Sequence, residues 1–179
     1  MIEQIQQDHK NIIQLLKVLN TKIEALKADK SIDYRLVKAI MSYLKKYSDK
    51  YHHPMEDLIY SYYLKYRVVS DEVANRLHDE HKQLKEVTSE LDDMVEMVLL
   101  DAIIAKESLI EKLSLFVEKQ RQHLNYEESE IIPLLKANLS PDDWTNLNQQ
   151  WKHKEYVDPL FGDKISEEFK ALAEFINRS

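Results

Sequence analysis

The sequence predicts an all-α protein, an up-down-up-down four-helix bundle with a short C-terminal helical extension. Apolar residues recur at three- and four-residue spacing along most of the chain, which is the pattern of amphipathic helices. The chain of 179 residues contains only 1 glycine and 4 prolines, so it is poor in the residues that tight turns require. These two observations favour long helices joined by few connections.

The bundle is predicted to occupy residues 1–138. Apolar spacing and capping residues place its four helices at about Ile2 to Lys27, at about Tyr34 to Tyr66, after an N-cap at Ser70, and around the apolar residues from Leu109 to Leu135. The connections are predicted at Ala28 to Asp33, near Val68, and near Leu99 to Ala105. Short connections of this kind make neighbouring helices antiparallel.

Residues 139–179 are predicted to form a helical extension that packs on the bundle. Ser140 and Pro141 mark a helix start, with serine as the cap and proline in the first turn, for a short helix to about Lys154. The segment from Asp158 to Asp163 has the strongest loop signal in the chain, and a last helix is expected from Lys164 to Asn177. We find no flexible linker that would separate this extension from the bundle.

Composition excludes several classes of function. The net charge is −7 and no dense block of Lys and Arg occurs, which disfavours nucleic acid as a partner. The absence of cysteine excludes disulfides, iron–sulfur clusters and a cysteine nucleophile. The apolar runs are too short to span a membrane, and the N-terminus lacks the basic-then-apolar order of a signal peptide. We therefore expect a cytoplasmic protein.

An internal repeat contains the histidines and glutamates that are candidate metal ligands. Asp8-His9-Lys10 recurs as Glu80-His81-Lys82 after 72 residues. His52-x-x-x-Glu56-Asp57 recurs as His123-x-x-x-Glu127-Glu128 after 71 residues. Each half of the bundle is thus a helical hairpin with an acid-His-Lys motif on its first helix and a His-x-x-x-Glu-acid motif on its second.

Helix geometry brings the motifs of the repeat to one level of the bundle. A histidine and a glutamate at positions i and i+4 share a helix face. His9 and His52 are equally far from the first connection, as His81 and His123 are from the third, and Glu56 and His81 are equally far from the second. The six side chains predicted to converge as metal ligands are His9, His52, Glu56, His81, His123 and Glu127.

A site with two metal ions accounts for six candidate ligands better than a site with one ion does. Two buried carboxylates must pair, take up protons or bind metal, because burial without a partner costs on the order of several kcal/mol each. A tetrahedral structural zinc site cannot use six ligands. With Glu56 and Glu127 as bridges, two histidines per ion and a bridging hydroxide, each ion has about five ligands and an open position. Mixed nitrogen and oxygen ligation of this kind suits iron or manganese, and abundance favours iron.

Other polar residues near the motifs have competing interpretations. His53 points about 100° away from its ligand neighbour, so we expect it at the surface or behind the ligands rather than on a metal. His78 lies one turn before a ligand and is a candidate fifth imidazole, whereas His153 lies between two lysines and is expected to be solvated. Asp57 and Glu128 either orient the ligating histidines or are ordinary surface charges.

Pro54 conflicts with a continuous second helix. It falls between His52 and Glu56, and a proline in a helix interior removes a hydrogen bond and clashes with the preceding turn. The second helix is therefore expected either to bend or to restart at this point.

These motifs resemble the hemerythrin-like, or HHE cation-binding, family. The resemblance rests on Asp8-His9, His52 to Asp57, Glu80-His81 and His123 to Pro133, and it covers roughly residues 1 to 138. The tail also resembles the C-terminal extension of bacterial members. The resemblance implies a non-haem di-iron centre, oxo- or hydroxo-bridged, that uses the same six ligands and binds oxygen or reacts with nitric oxide or peroxide. Oxygen-carrying members use a fifth histidine, whose identity here stays open because His78 is three rather than four residues from His81.

The leading hypothesis is a di-iron protein that binds or senses dioxygen or a related small oxidant without being an enzyme. One alternative is a di-iron enzyme that consumes peroxide or nitric oxide. Others are a metal-binding or stress-response protein without oxygen carriage, and a structural bundle whose histidines are incidental. A ferritin-like iron store is disfavoured, because no histidine here has a glutamate three residues before it.

Overall fold

The computed structural model describes residues 1–67, 72–152 and 157–178, with side chains described for all of these except 72–75. Most of the described residues are helical. The α-helices are α1 (Ile2–Lys27), α2 (Tyr34–Tyr43), α3 (His53–Arg67), α4 (Glu72–Leu99), α5 (Lys106–Tyr126), α6 (Ile132–Asn138), α7 (Pro141–Gln150) and α8 (Lys170–Arg178). Two π-helical segments, π1 (Leu44–His52) and π2 (Glu127–Ile131), and a 3-10 turn (Glu167–Phe169) complete the elements.

The predicted four-helix bundle is confirmed. Its long helices are α1, the continuous run α2–π1–α3, α4, and the continuous run α5–π2–α6. α1 packs on α5, α2 packs on α4, and α4 packs on α5. The Asp33 side chain caps α2 by accepting a hydrogen bond from the Arg35 backbone N–H at 2.9 Å. The predicted cap Ser70 lies outside the described residues.

The second helix runs through Pro54 without a break and changes from π-helical to α-helical geometry at His53, so it does not start anew there. α3 begins at His53, so Pro54 stands in its first turn, where a backbone N–H is not needed. Pro133 occupies the same place in α6, directly after π2. A wider π-helical turn before each proline relieves the clash that a proline makes with the carbonyl of the preceding α-helical turn. The two prolines therefore account for the position of both π segments.

The core has two apolar clusters with a polar layer between them. On α1, Ile5 belongs to the smaller cluster and Ile12 to the larger, and the buried His9 lies between them. The same order holds on α4, where Leu77 belongs to the smaller cluster and Leu91 to the larger. The apolar clusters thus hold the helices on both sides of the layer, and they keep it away from solvent.

The C-terminal extension is bonded to the bundle at three described points. The Asp143 carboxylate accepts hydrogen bonds from Tyr62 Oη at 2.8 Å and from Arg67 Nη2 at 2.6 Å. The Tyr43 hydroxyl donates to Asp158 at 2.9 Å. Lys46 Nζ forms an ion pair with Glu168 at 2.6 Å. These contacts tie the extension to α2, π1 and α3.

The ends of two helices in the extension differ from the prediction. Ser140 and Pro141 start α7 as expected, with a capping box between Ser140 and Asp143. α7 ends at Gln150 rather than near Lys154, because Trp151 adopts extended backbone geometry. The last helix starts with the 3-10 turn rather than at Lys164, because Ser166 is also extended. Within the described residues, no helix combines the length and apolar character that crossing a membrane requires.

Candidate metal centre

The six predicted ligands lie together in the polar layer. Each long helix of the bundle contributes at least one of them, and each is 6% exposed or less. They are His9 on α1, His52 at the end of π1, Glu56 on α3, His81 on α4, His123 on α5 and Glu127 at the start of π2. The equal distances of these residues from the helix connections, as counted along the repeat, therefore predict their spatial convergence.

Glu56 faces histidines from both halves of the bundle. Its Oε1 atom lies 3.0 Å from His9 Nε2 and 3.2 Å from His52 Nε2. Its Oε2 atom lies 3.4 Å from His81 Nε2. A carboxylate whose two oxygens face two different sets of imidazoles has the arrangement needed to bridge two cations.

Glu127 also contacts both halves, with a different division of its oxygens. Its Oε2 atom lies 3.2 Å from His9 Nε2 and 3.3 Å from His123 Nε2. Its Oε1 atom lies 3.6 Å from His81 Nε2. Together, Glu56 and Glu127 place four carboxylate oxygens among the four imidazoles.

Several of the inward-facing atoms are buried without a well-aligned hydrogen bond. They are Nε2 of His52, His81 and His123, and Oε2 of Glu56 and Glu127. Folded proteins seldom leave buried polar atoms unpartnered, because each costs about 1–3 kcal/mol. Side chains from several helices thus direct lone pairs into one space, where these could coordinate a cation. The residues present therefore fit a metal centre.

The ligand atoms fall into two groups. In the described part of the chain, one group consists of His9, His52 and Glu56, and the other of His53, Glu56, His81 and His123. Within each group the ligand atoms lie within 4.8 Å of one another. Glu56 belongs to both groups, as expected of a shared ligand. The first hairpin supplies both histidines of one group; the second hairpin supplies His81 and His123 of the other group, to which the first hairpin adds His53.

His53 is buried, which excludes the surface position that was one of its two predicted places. This side chain is 7% exposed, and its ring stacks on that of His81 with 4.4 Å between centroids. A direction about 100° from a ligand leads to solvent on an isolated helix, but in a bundle it leads to the neighbouring helix. Burial lowers the pKa of His53 to about 4, so its imidazole is neutral.

Of the two other histidines outside the repeat, only His78 is among the described residues, and it does not join this layer. His78, the candidate fifth imidazole, is on α4 but faces solvent and belongs to neither group of ligand atoms. His153 lies outside the described residues. Among the histidines that the structure describes, the fifth imidazole near the layer is therefore that of His53.

A carboxylate lies behind each of the four predicted histidine ligands and accepts a hydrogen bond from Nδ1. The pairs are His9 with Glu128 at 2.7 Å, His52 with Asp8 at 3.2 Å, His81 with Asp57 at 2.9 Å, and His123 with Glu80 at 3.0 Å. A proton on Nδ1 leaves the Nε2 lone pair directed into the layer. Asp57 and Glu128 thus have the orienting position that was one of their two predicted interpretations. The same role of Asp8 and Glu80 was missed, although the acid-His-Lys motif repeats them.

Replacing Asp8 or Glu80 with alanine is expected to weaken metal binding by about 10–100-fold, because each carboxylate fixes the ring of His52 or His123. Competition with a fluorescent chelator measures the change. Asp79→Ala is the matched control, since Asp79 is an exposed acid beside Glu80. An Asp8 variant that binds as tightly as the Asp79 variant would show that its carboxylate does not orient a ligand.

The carboxylates of the layer are held ionised beside protonated imidazoles when no metal is bound. Burial lowers the pKa of His9, but hydrogen bonds to Glu127 and Glu56 and their charges outweigh it and raise the pKa to about 11. Burial also lowers the pKa of His81, whereas hydrogen bonds to carboxylates raise it to about 12. Burial would raise the pKa of Glu56, but the surrounding imidazoles hold it well below its usual range.

Metal affinity is expected to increase with pH. Because the pKa values of His9 and His81 are raised to about 11 and about 12, both imidazoles carry protons at neutral pH that a cation must displace. The logarithm of the affinity should therefore increase by roughly two for each pH unit below these values. Chelator competition at several pH values, corrected for protonation of the chelator, gives the slope. An affinity independent of pH would mean that no proton is displaced.

The fold and the layer together define a four-helix bundle of the cation-binding class, with buried histidines and glutamates as its donors. The chain belongs to the hemerythrin HHE cation binding domain family, whose family model matches residues 1–135. This match confirms the resemblance seen in the repeat motifs, and helices α7 and α8 lie beyond it. A search of curated proteins gives no match to this chain.

Proposed function

We propose that this protein holds two iron ions in the polar layer and uses them to bind dioxygen or a related small oxidant, nitric oxide or peroxide. The observation that carries the proposal is the position of Glu56, whose two oxygens face two separate groups of imidazoles. One cation would be held by His9 and His52, the other by His81 and His123. Glu56 and Glu127 would be ligands to both.

The donor set favours iron among the available metals. Imidazole nitrogens and carboxylate oxygens without thiolates suit iron or manganese, and a tetrahedral zinc ion would leave donors unused. Iron held in this way supplies one-electron chemistry and coordination positions that protein ligands do not fill. The chain itself orients the imidazoles through their Nδ1 atoms and keeps bulk water out with its two apolar clusters.

A small apolar cavity beside the two carboxylates supports a small ligand. Its volume is about 10 Å³, which is the room that roughly one water molecule needs. Glu56 and Glu127 line it together with isoleucine and leucine side chains and Tyr60. The Tyr60 hydroxyl is buried without a hydrogen-bond partner. A space of this size suits only a very small ligand, and an organic substrate does not fit it.

Optical titration of the iron-loaded protein tests the proposal. The reduced protein is exposed to dioxygen, nitric oxide or peroxide, and we expect a new near-ultraviolet and visible band that saturates at one equivalent per pair of iron ions. His123→Ala should lose the response, whereas His78→Ala, which changes an exposed histidine, should keep it. Sustained consumption of peroxide or nitric oxide with a reductant would instead identify an enzyme. No response to any of the three would refute the proposal.

A further inference from the structure

We propose that this protein has a second ligand site, in a cavity between the bundle and the C-terminal extension, for a planar aromatic heterocycle that is uncharged or positively charged. The cavity is lined by none of the six predicted metal ligands, so the inference goes beyond the proposed function and does not depend on it. Its volume is about 540 Å³, within the range of small-molecule sites, roughly 300–1,000 Å³. It therefore has room for an organic molecule, which the small cavity beside Glu56 does not.

Aromatic side chains from three parts of the chain line this cavity. Tyr47 and Tyr51 line it from π1, Trp151 from the end of α7, and Phe161 from the loop before the 3-10 turn. The ring centroids of Tyr47 and Tyr51 are 6.1 Å apart, and their planes are tilted by 34°. Contacts between aromatic rings stabilise a complex beyond the burial of apolar area alone. This wall favours a planar aromatic ligand over a flexible aliphatic one.

A buried amide supplies a hydrogen-bonding group to the cavity. Asn11 on α1 lines it and is 5% exposed. Its Oδ1 atom accepts a hydrogen bond from Gln7 Nε2 at 3.1 Å, but no residue that the structure describes accepts one from its Nδ2 atom. Buried side-chain nitrogens seldom lack an acceptor, because an unpaired donor costs free energy. The Asn11 amide is therefore placed to donate to a carbonyl oxygen or a ring nitrogen of a ligand.

Asp158 fixes the loop that forms one wall of the cavity. Its Oδ1 atom accepts hydrogen bonds from the backbone N–H groups of Leu160 and Phe161 at 2.8 and 2.9 Å, and its Oδ2 atom accepts one from the Tyr43 hydroxyl at 2.9 Å. The Phe161 ring meets the Tyr43 ring edge to face, with 5.8 Å between centroids. At Gly162 a side chain would clash with the Asp158 carbonyl oxygen, so glycine permits the tight turn. A wall held in this way is already formed before a ligand binds, which lowers the entropic cost of binding.

The charged residues at the cavity disfavour an anionic ligand. Asp158 and Asp163 line it, and among the lining residues that the structure describes there is no lysine or arginine. Phosphate and carboxylate ligands are usually held by those two cationic side chains, whereas like charges repel. The ligand is therefore expected to be uncharged or positively charged.

Two hydrogen bonds connect the wall of the cavity with the polar layer. The Tyr47 hydroxyl donates to Asp8 Oδ1 at 3.1 Å, and Asp8 Oδ2 accepts a hydrogen bond from Nδ1 of His52 at 3.2 Å. A ligand in contact with Tyr47 would therefore lie near a predicted metal ligand but outside the layer. The two sites are neighbours that use different side chains, so the cavity should bind its ligand whether or not metal is present.

Fluorescence anisotropy of lumichrome tests this site without measuring activity. Lumichrome is an uncharged heterocycle of three fused rings with ring N–H and carbonyl groups. Metal-free and metal-loaded wild type are each titrated into a fixed low concentration of it, and we expect saturable binding with the same affinity for both. Binding that requires the metal would assign the ligand to the metal centre and overturn the inference. The absence of saturable binding to either form would overturn it as well.

Two substitutions locate the bound lumichrome. Asn11→Leu removes the amide but keeps the size of the side chain, and should weaken binding about threefold to tenfold. Trp151→Leu removes an aromatic ring from the wall and should weaken binding at least about fivefold. The matched controls are Asn125→Leu and Tyr66→Leu, which change an exposed asparagine and an exposed tyrosine outside the cavity and should keep the wild-type affinity. Circular dichroism checks that each variant stays helical. Folded Asn11 and Trp151 variants that bind lumichrome as tightly as the controls would show that the ligand does not occupy this cavity.

Discussion

Glu56→Ala is expected to lose both cations, a larger effect than the loss of any single histidine. Each of the two oxygens of Glu56 faces a different group of imidazoles, so its removal takes one ligand from each cation at once. It also removes the negative charge that offsets both cations. Metal analysis after dialysis should find less than one cation per chain.

The control and an isosteric variant separate this effect from misfolding. Glu111→Ala removes an exposed glutamate from α5 and should keep the full metal content. Glu56→Gln keeps the shape of the side chain but not its charge, and should also lose metal. Circular dichroism checks that each variant stays helical. A folded Glu56→Ala protein that retains two cations would show that this carboxylate is not shared between them.

Removal of the cations is expected to lower the melting temperature by roughly 15 °C or more. A ligand that binds only the folded state stabilises it by about 4 kcal/mol when present at ~1,000 times its dissociation constant, and two cations double this. A chain of this size changes its melting temperature by about 2–4 °C for each kcal/mol. In addition, the metal-free layer keeps buried atoms of His52, His81 and Glu56 without hydrogen bonds.

Scanning calorimetry with and without a chelator measures this change. Adding the metal back should restore the higher transition, and the chelator should have no effect on Glu56→Ala. An unchanged melting temperature would favour the alternative in which the bundle is structural and its histidines are incidental.

The six residues of the repeat could be predicted because their convergence follows from their spacing along each helix and their distances from the connections. The spacing of His52 and Glu56 fixes a shared helix face, and the equal distances of His9 and His52 from a turn fix their level. Neither step requires knowledge of how the helices pack. The bounds of α1 could be predicted for a similar reason, because its apolar spacing runs without interruption from Ile2 to Lys27.

His53 could not be placed from the sequence, because its environment depends on the neighbouring helices. The π segments were missed as well, since a run of nine residues such as π1 is too short to reveal a period different from that of an α-helix. Pro54 and Pro133 were the available signals, and each follows the end of a π segment by two residues. Two prolines at corresponding positions in both halves indicate such a feature more strongly than one does.

The repeat also contained a relation that only the structure reveals. The acid of each acid-His-Lys motif contacts the histidine on the other helix of its own hairpin, Asp8 with His52 and Glu80 with His123. The acid that follows each His-x-x-x-Glu motif contacts a histidine of the other hairpin, Asp57 with His81 and Glu128 with His9. The four hydrogen bonds thus follow the twofold symmetry of the repeat. Each motif supplies at least one candidate metal ligand, and also a carboxylate that accepts a hydrogen bond from the histidine of another motif.

Anomalous X-ray diffraction at the iron edge, from crystals of the iron-loaded protein, tests the central claim most directly. The account predicts two peaks inside the polar layer, each roughly 2.0–2.2 Å from an oxygen of Glu56 and from nitrogens of its own histidines. The first peak should lie beside His9 and His52, and the second beside His81 and His123. A single peak, or peaks only at the surface of the bundle, would contradict the account.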